Sequence, residues 1–87
     1  MKYTVVHDVD ARRFTTTVEG HLCVLEYRLA GSTMTITFTG VPTAVGGRGV
    51  AAALTRAALN EARTAGWKVV PSCSYAAAFM RRHPEYG

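Results

Sequence analysis

The sequence predicts an α+β fold, a mostly antiparallel sheet carrying one βαβ unit. Three observations lead there. Up to Thr39 the chain alternates apolar and polar residues with a period of two, the signature of strands with one packed face. From Val50 to Ala65 it is rich in alanine at helical spacing, and the glycine-rich loop Gly46-Gly47-Arg48-Gly49 lies between the two regimes.

Each element follows in order. Tyr3 to His7 reads as a short strand, and Asp8-Val9-Asp10-Ala11 as a turn. Arg13 to Glu19 places Phe14, Thr16 and Val18 on one side, and Glu19-Gly20 suits a tight hairpin turn. His21 to Leu29 is the next strand, closed by Ala30-Gly31-Ser32. Thr33 to Thr39 has the clearest alternation, with Met34, Ile36 and Phe38 expected on the packed face and four threonines opposite. In the helix, Ala51, Leu54, Ala58, Ala62 and Ala65 are expected to line the buried face, and Gly66 to stop it. Trp67 to Val70 reads as a strand parallel to Thr33–Thr39, reached by a right-handed crossover. A last helix is expected from about Ser74 to Arg82, ending before Pro84.

The 87 residues suit one domain, and at 48% hydrophobic and 18% charged the chain is expected to build a core, though a thin one. A monomer or weak homodimer is expected. No apolar run is long enough to span a bilayer, and no export signal is seen at the N-terminus, so a cytoplasmic location is expected. Cys23 and Cys73 lie far apart and form no CxxC pair, and His7, His21 and His83 are scattered without metal-ligand spacing. The net charge of +4 suits an anionic partner but is not gathered into a basic tract, which argues against nucleic acid.

The segment Val41-Pro42-Thr43-Ala44-Val45-Gly46-Gly47-Arg48-Gly49-Val50-Ala51 joins a strand to a helix. The first turn of a helix offers backbone N–H groups without intrahelical partners, and the helix dipole favours an anion there. Glycines let a phosphate approach the backbone, and Arg48 can add a charged contact. There is no GxxxxGK[ST] pattern. A dinucleotide fingerprint is absent as well, because the position three after Gly49 is Ala52.

Gly47 to Ala51, opening a helix after an antiparallel meander, resembles the acetyl-CoA-binding motif of the GNAT N-acetyltransferase superfamily. More narrowly, the chain resembles its minimal stand-alone members, through Arg13-Phe14, Leu25-Glu26-Tyr27-Arg28-Leu29, Val41-Pro42, Ala65-Gly66-Trp67-Lys68-Val69-Val70-Pro71-Ser72-Cys73-Ser74-Tyr75 and Arg82-His83-Pro84-Glu85-Tyr86. The resemblance implies one acyl-CoA-binding domain over residues 1–87. Acetyl-CoA is the implied cofactor, transferred to an unidentified amine on a small molecule or a protein lysine. It implies that Val41, Gly46, Gly47, Arg48, Gly49, Val50, Ala51, Ser72 and Cys73 bind the cofactor. It also implies that the strands Thr33–Thr39 and Trp67–Val70 splay to admit the pantetheine arm. Where the small subfamily often reads His-Thr-Glu-Val-Pro, this chain has Phe38-Thr39-Gly40-Val41-Pro42.

Acetyl transfer needs a base for the amine and a proton for the departing thiolate. Tyr75 and Tyr86 are candidates for the latter, each with ordinary aromatic packing as the plainer role. Cys73, near the start of the last helix, is expected to have a lowered thiol pKa and can serve an acyl-cysteine relay; a small buried thiol is the alternative. His83 shares a helix face with Tyr75 and Phe79 and is a candidate to approach Cys73. Glu26 and Glu61 remain as bases, with Glu26 otherwise expected to pair with Arg28 or a cross-strand arginine. The second functional reading is a non-catalytic CoA-binding or protein-interaction module.

Overall fold

The computed structural model describes residues 3–86; Met1 and Lys2, in the stretch where no export signal is expected, and Gly87 lie outside the described residues. Strands β1 (Val6–Asp8), β2 (Arg13–Val18), β3 (His21–Ala30) and β4 (Thr33–Gly40) form an antiparallel meander. Helix α1 (Val50–Ala65) then crosses to β5 (Lys68–Pro71), which pairs in parallel with β4, and α2 (Ser74–Arg82) closes the chain. The expected mixed sheet with one βαβ unit is the observed one.

Turn chemistry fixes the register of the meander. Val18 pairs with His21 across a two-residue turn in which Glu19 and Gly20 both have positive φ, at 50° and 78°. That geometry matches the right-handed twist of the flanking strands. At the other end of β2, the Asp8 carboxylate accepts a hydrogen bond from the Ala11 N–H at 3.2 Å and shapes the turn.

One face of the sheet packs against both helices. Phe14, Val18, Cys23, Leu25, Tyr27, Met34 and Ile36 from the strands join Val50, Leu54, Ala58, Leu59, Ala62, Ala76 and Phe79 in one core cluster. Small residues at 58 and 62 let α1 lie close to the sheet. The buried stripe of α1 also takes Val50, Thr55 and Leu59, whereas Ala65, expected on it, is exposed. Buried Thr55 satisfies its hydroxyl by donating to the Ala51 carbonyl at 2.8 Å. The opposite face of the sheet carries no helix among the described residues and exposes Val6, Leu22 and Phe38.

Phe38 corrects the sequence reading. It was expected beside Met34 and Ile36, yet it is 49% exposed while they are fully buried. The register explains it: Tyr27 pairs with Ile36, but Glu26 pairs with Phe38, so Thr37 is an extra residue in β4. Such a bulge inverts the facing of every side chain beyond it. Phe38 therefore turns to the open face and Thr39, opposite buried Leu25, turns to the helix side.

Two substitutions test this inversion in urea denaturation. Ile36→Ala is expected to cost about 2–5 kcal/mol, the range for a truncated core residue. Phe38→Ala is expected to cost under about 1 kcal/mol, as for a surface position. Equal losses would contradict the bulge.

Candidate functional site

Parallel pairing between β4 and β5 ends at Ile36 and Pro71, where the Ile36 carbonyl accepts from both Ser72 N–H and Cys73 N–H at 3.0 Å. β4 runs on to Gly40, while the other chain turns into α2. The splay expected between Thr33–Thr39 and Trp67–Val70 is not seen: all of β5 is paired with β4 along Lys68–Pro71, and the pairing ends where β5 itself ends.

The glycine loop sits next to the end of that pairing. Gly49 caps α1 with φ 80° in the left-handed region and Gly47 has φ 74°, conformations that side chains resist. No side chain caps α1, and no acidic residue occupies its first turn. The backbone N–H groups from Gly47 to Ala52 find no acceptor among the described residues, and the first helical bond is Ala53 N–H to Gly49 O. Unbonded donors in a row at the positive end of a helix dipole favour an anion there. A cavity of about 210 Å³ lies over them, lined by Val41, Gly46, Gly47, Gly49, Val50, Ala51, Ala52 and Tyr75.

Two of the expected contacts differ in kind. The Gly46 N–H is already bonded to the Thr43 carbonyl at 3.1 Å, so Gly46 contributes only open space. The Arg48 side chain, expected to meet a phosphate, is turned away from the cavity and paired with Glu19 at the β2–β3 turn. The Arg48 carbonyl accepts from the Tyr3 hydroxyl at 2.7 Å. Tyr3, read as the start of a strand, instead lies outside β1 and ties down the loop. Ser72 is exposed just beyond the last rung of the β4–β5 ladder.

Cys73 caps the N-terminus of α2 and is partly buried. Its Sγ lies 3.5 Å from the Thr39 hydroxyl, a contact that exists because the bulge turned Thr39 inward. Burial pushes the Cys73 thiol up, but the N–H groups of Ala76, Tyr75 and Thr39 and the Thr39 hydroxyl outweigh it, and the net shift is downward. The helix N–H groups lean toward the sulfur without forming a tight cap. Cys23 shows the contrast: it is fully buried in β3, and burial alone pushes its thiol up.

Tyr75, 37% exposed, lines the loop cavity and also a second one of about 200 Å³ between α1 and α2. That second cavity is lined by Ala52, Arg56, Tyr75, Ala78, Phe79, Arg82 and His83. Arg56 on α1 and Arg82 on α2 are far apart in sequence and meet only at this cavity. His83 does share a face with Tyr75 and Phe79, stacking on Phe79 at 4.2 Å between ring centroids. It does not approach Cys73, however, because the two cap opposite ends of a nine-residue helix, about 15 Å of axial rise apart. Tyr86 is held rather than loose, with the Arg63 guanidinium 4.9 Å from its ring centroid.

Glu26 lies on the open face, exposed and on the other side of the sheet from Cys73. The expected arginine pairing is not made: no ion pair engages Glu26 among the described residues, and its neighbour Arg13 is instead 3.9 Å from Asp8. Glu61 sits in the fourth turn of α1, remote from the loop. A larger cavity of about 450 Å³ lies along β1 and β2, lined by Tyr3, Thr4, Val6 and Thr15 to Thr17, with no helix terminus opening into it. No cluster of potential metal ligands occurs and no helix is long and apolar enough to cross a membrane, both among the described residues.

A meander, a crossover helix with an uncapped glycine-rich start, and a parallel pair of strands define an α+β domain with unbonded donors at a helix start. A family model of the GCN5-related N-acetyl-transferases matches residues 13–87. The chain is also similar to a solution NMR structure of a GCN5-like N-acetyltransferase candidate from Staphylococcus aureus. That likeness has a TM-score of 0.76 at 25% identity, covering 97% of this chain and 83% of that one. The protein belongs to the GCN5-related N-acetyltransferase family.

The two thiols give a direct test. Alkylation by iodoacetamide is expected to rise with pH through a lower midpoint at Cys73 than the ordinary thiol value of 9.0, and at Cys23 only on unfolding. Thr39→Val removes the hydroxyl donor, so the Cys73 midpoint should move up. Peptide-resolved mass spectrometry reads both. Equal reactivity of the two cysteines in the folded protein would contradict the assignment.

Proposed function

We propose that this chain binds acetyl-CoA and transfers its acetyl group to an amine. The observation that carries the reading is the row of unbonded N–H groups from Gly47 to Ala52, opening a helix under a cavity. A pyrophosphate supplies the paired negative charge that such a row accepts, and backbone donors suffice to hold it. Gly47 and Gly49 fit the group, since a Cβ on either would project into open space where the ligand would lie. The cavity between α1 and α2 continues from the first through Tyr75, and Arg56 and Arg82 suit the phosphorylated nucleotide end. The end of the β4–β5 pairing suits the thin pantetheine arm, whose thioester would then come near Thr39 and Cys73. Two free thiols accord with a reducing, cytoplasmic setting.

The chemistry has two routes. In direct transfer, a neutral amine attacks the thioester carbonyl, the carbon–sulfur bond breaks, the CoA thiolate takes a proton from the Tyr75 hydroxyl, and the proton the amine loses on forming the amide returns to the tyrosine through solvent. In the relay, the Cys73 thiolate attacks first. The acetyl group passes to Sγ, CoA leaves, and the amine then attacks the acetyl-cysteine, returning the thiol. The donors around Cys73 favour the relay, because the groups that stabilise a thiolate also polarise an acetyl oxygen held beside it. His83 takes no part at the thioester, and Glu26 can reach the amine only from the open face.

Gly49→Glu is expected to abolish acetyl-CoA binding in calorimetry, since it strains a positive-φ position and sets a carboxylate against the phosphates. Thermal unfolding of the variant checks that the fold survives. Incubation with acetyl-CoA is expected to add an acetyl mass to the Cys73 peptide and not to the Cys23 peptide. Cys73→Ser should remove the label and leave affinity within about threefold. Turnover unchanged in Cys73→Ser, with no label in the wild type, would leave direct transfer. Binding without turnover on any amine would leave the CoA-binding module, which the Phe38 and Gly40 replacements favour.

A further inference from the structure

We propose that Glu19, on the β2–β3 hairpin turn, is a positioning residue for the glycine loop: it clamps Arg48, so that the N–H row at the start of α1 is set for an anion before one arrives. The proposal deepens the acetyl-CoA reading above, on which its ligand rests. Three observations carry it.

The first is how little else holds the loop. Val45 and Val50 are fully buried, and the four residues between them are all exposed. Three of the four are glycines, and Gly47 and Gly49 lie in the left-handed region. Glycine loses more backbone freedom on ordering than any other residue. Arg48 brings the one side chain in the stretch, so it is the one handle by which another element can hold it.

The second is that Arg48 is held at both ends, from two different elements. Its guanidinium donates to the Glu19 carboxylate, and its carbonyl accepts from the Tyr3 hydroxyl at 2.7 Å. The Arg48 carbonyl and the Gly49 N–H belong to one planar trans peptide and point in opposite directions. A hydroxyl that fixes the carbonyl therefore aims the N–H, which lies in the middle of the unbonded row. The ion pair acts on the same residue from the other side. It draws the side chain to the hairpin and keeps the peptide within reach of Tyr3.

The third is the residue type at position 19. Glu19 is the first of the two turn residues between Val18 and His21, with φ 50°. Such a turn needs positive φ at both positions, which favours Asn, Asp or Gly over a longer side chain. The Glu19 carboxylate has one ion-pair partner among the described residues, and that partner is Arg48. What glutamate adds over the better turn formers is length and charge, and both are spent on the loop.

The test uses the whole chain, first without any ligand, with ¹⁵N relaxation reading the order of each loop amide. Gly47 to Gly49 should behave as rigid backbone in the wild type, with order parameters of about 0.85. Glu19→Asn and Tyr3→Phe should each lower them toward about 0.6. The thermal midpoint of Glu19→Asn should stay or rise, because asparagine suits the turn. Glu19→Gln, which keeps the reach and an acceptor for the guanidinium, should retain most of the order. In an Arg48→Ala background, Glu19→Asn should change nothing further. CoA is then titrated by calorimetry, and Glu19→Asn should weaken it about two- to fivefold, the range of an exposed ion pair. Loop order unchanged in Glu19→Asn, with or without a fall in thermal midpoint, would make Glu19 a hairpin residue only and overturn the proposal. So would an equal loss of order in the Arg48→Ala background. Tighter CoA binding by Glu19→Asn would overturn it too, by showing that Glu19 withholds Arg48 from the ligand. A wild type that ignores CoA while loop order responds as expected would sink the acetyl-CoA reading and leave the clamp standing.

Discussion

The extra residue at Thr37 is the constraint on which the candidate site depends. Without it, β4 would keep Phe38 in the core and point Thr39 outward, since parity along a strand is strict. With it, one short stretch presents a hydroxyl to Cys73 on one face and an aromatic ring to solvent on the other. The local cost is one unpaired residue in the β3–β4 ladder, partly offset by the Thr37 hydroxyl, which donates to the Glu26 carbonyl at 3.3 Å. The same segment is where β4 outruns β5.

The second constraint is the uncapped start of α1. A helix of 16 residues with no side-chain cap and no acidic residue in its first turn forgoes stabilisation that a serine or aspartate would supply, about 1 kcal/mol. The loop is instead held from outside: Tyr3 bonds the Arg48 carbonyl, and Arg48 reaches Glu19 on the hairpin turn. These ties fix the loop's position while leaving its N–H groups free for a ligand. Helix α2 repeats the theme at a smaller scale, with Cys73 where a capping hydroxyl would commonly stand.

Most of the fold was legible because its signals are local. Glu19-Gly20 names its own turn, Gly66 ends α1 with φ 76°, and the alternation along β2 and the first half of β4 reads directly as burial. The bulge was not legible, since Met34, Ile36 and Phe38 continue a period of two that the backbone interrupts. Side-chain aim at the site was likewise hidden. Arg48 stands in the loop, but its partner Glu19 is brought near only by the tertiary fold. His83 was placed on the right helix face, yet spacing modulo a turn says nothing of the axial distance that separates it from Cys73. Arg56 and Arg82 meet across two helices whose packing no single segment encodes.

The central claim is that the N-terminus of α1 is a phosphate cradle beside the end of the β4–β5 pairing. An amide chemical-shift map during titration with acetyl-CoA addresses it most directly. The account expects the largest changes from Gly47 to Ala52, with a second group from Thr37 to Gly40 and at Cys73. Changes concentrated instead at Thr4 and Thr15 to Thr17, along the larger cavity between β1 and β2, would contradict it.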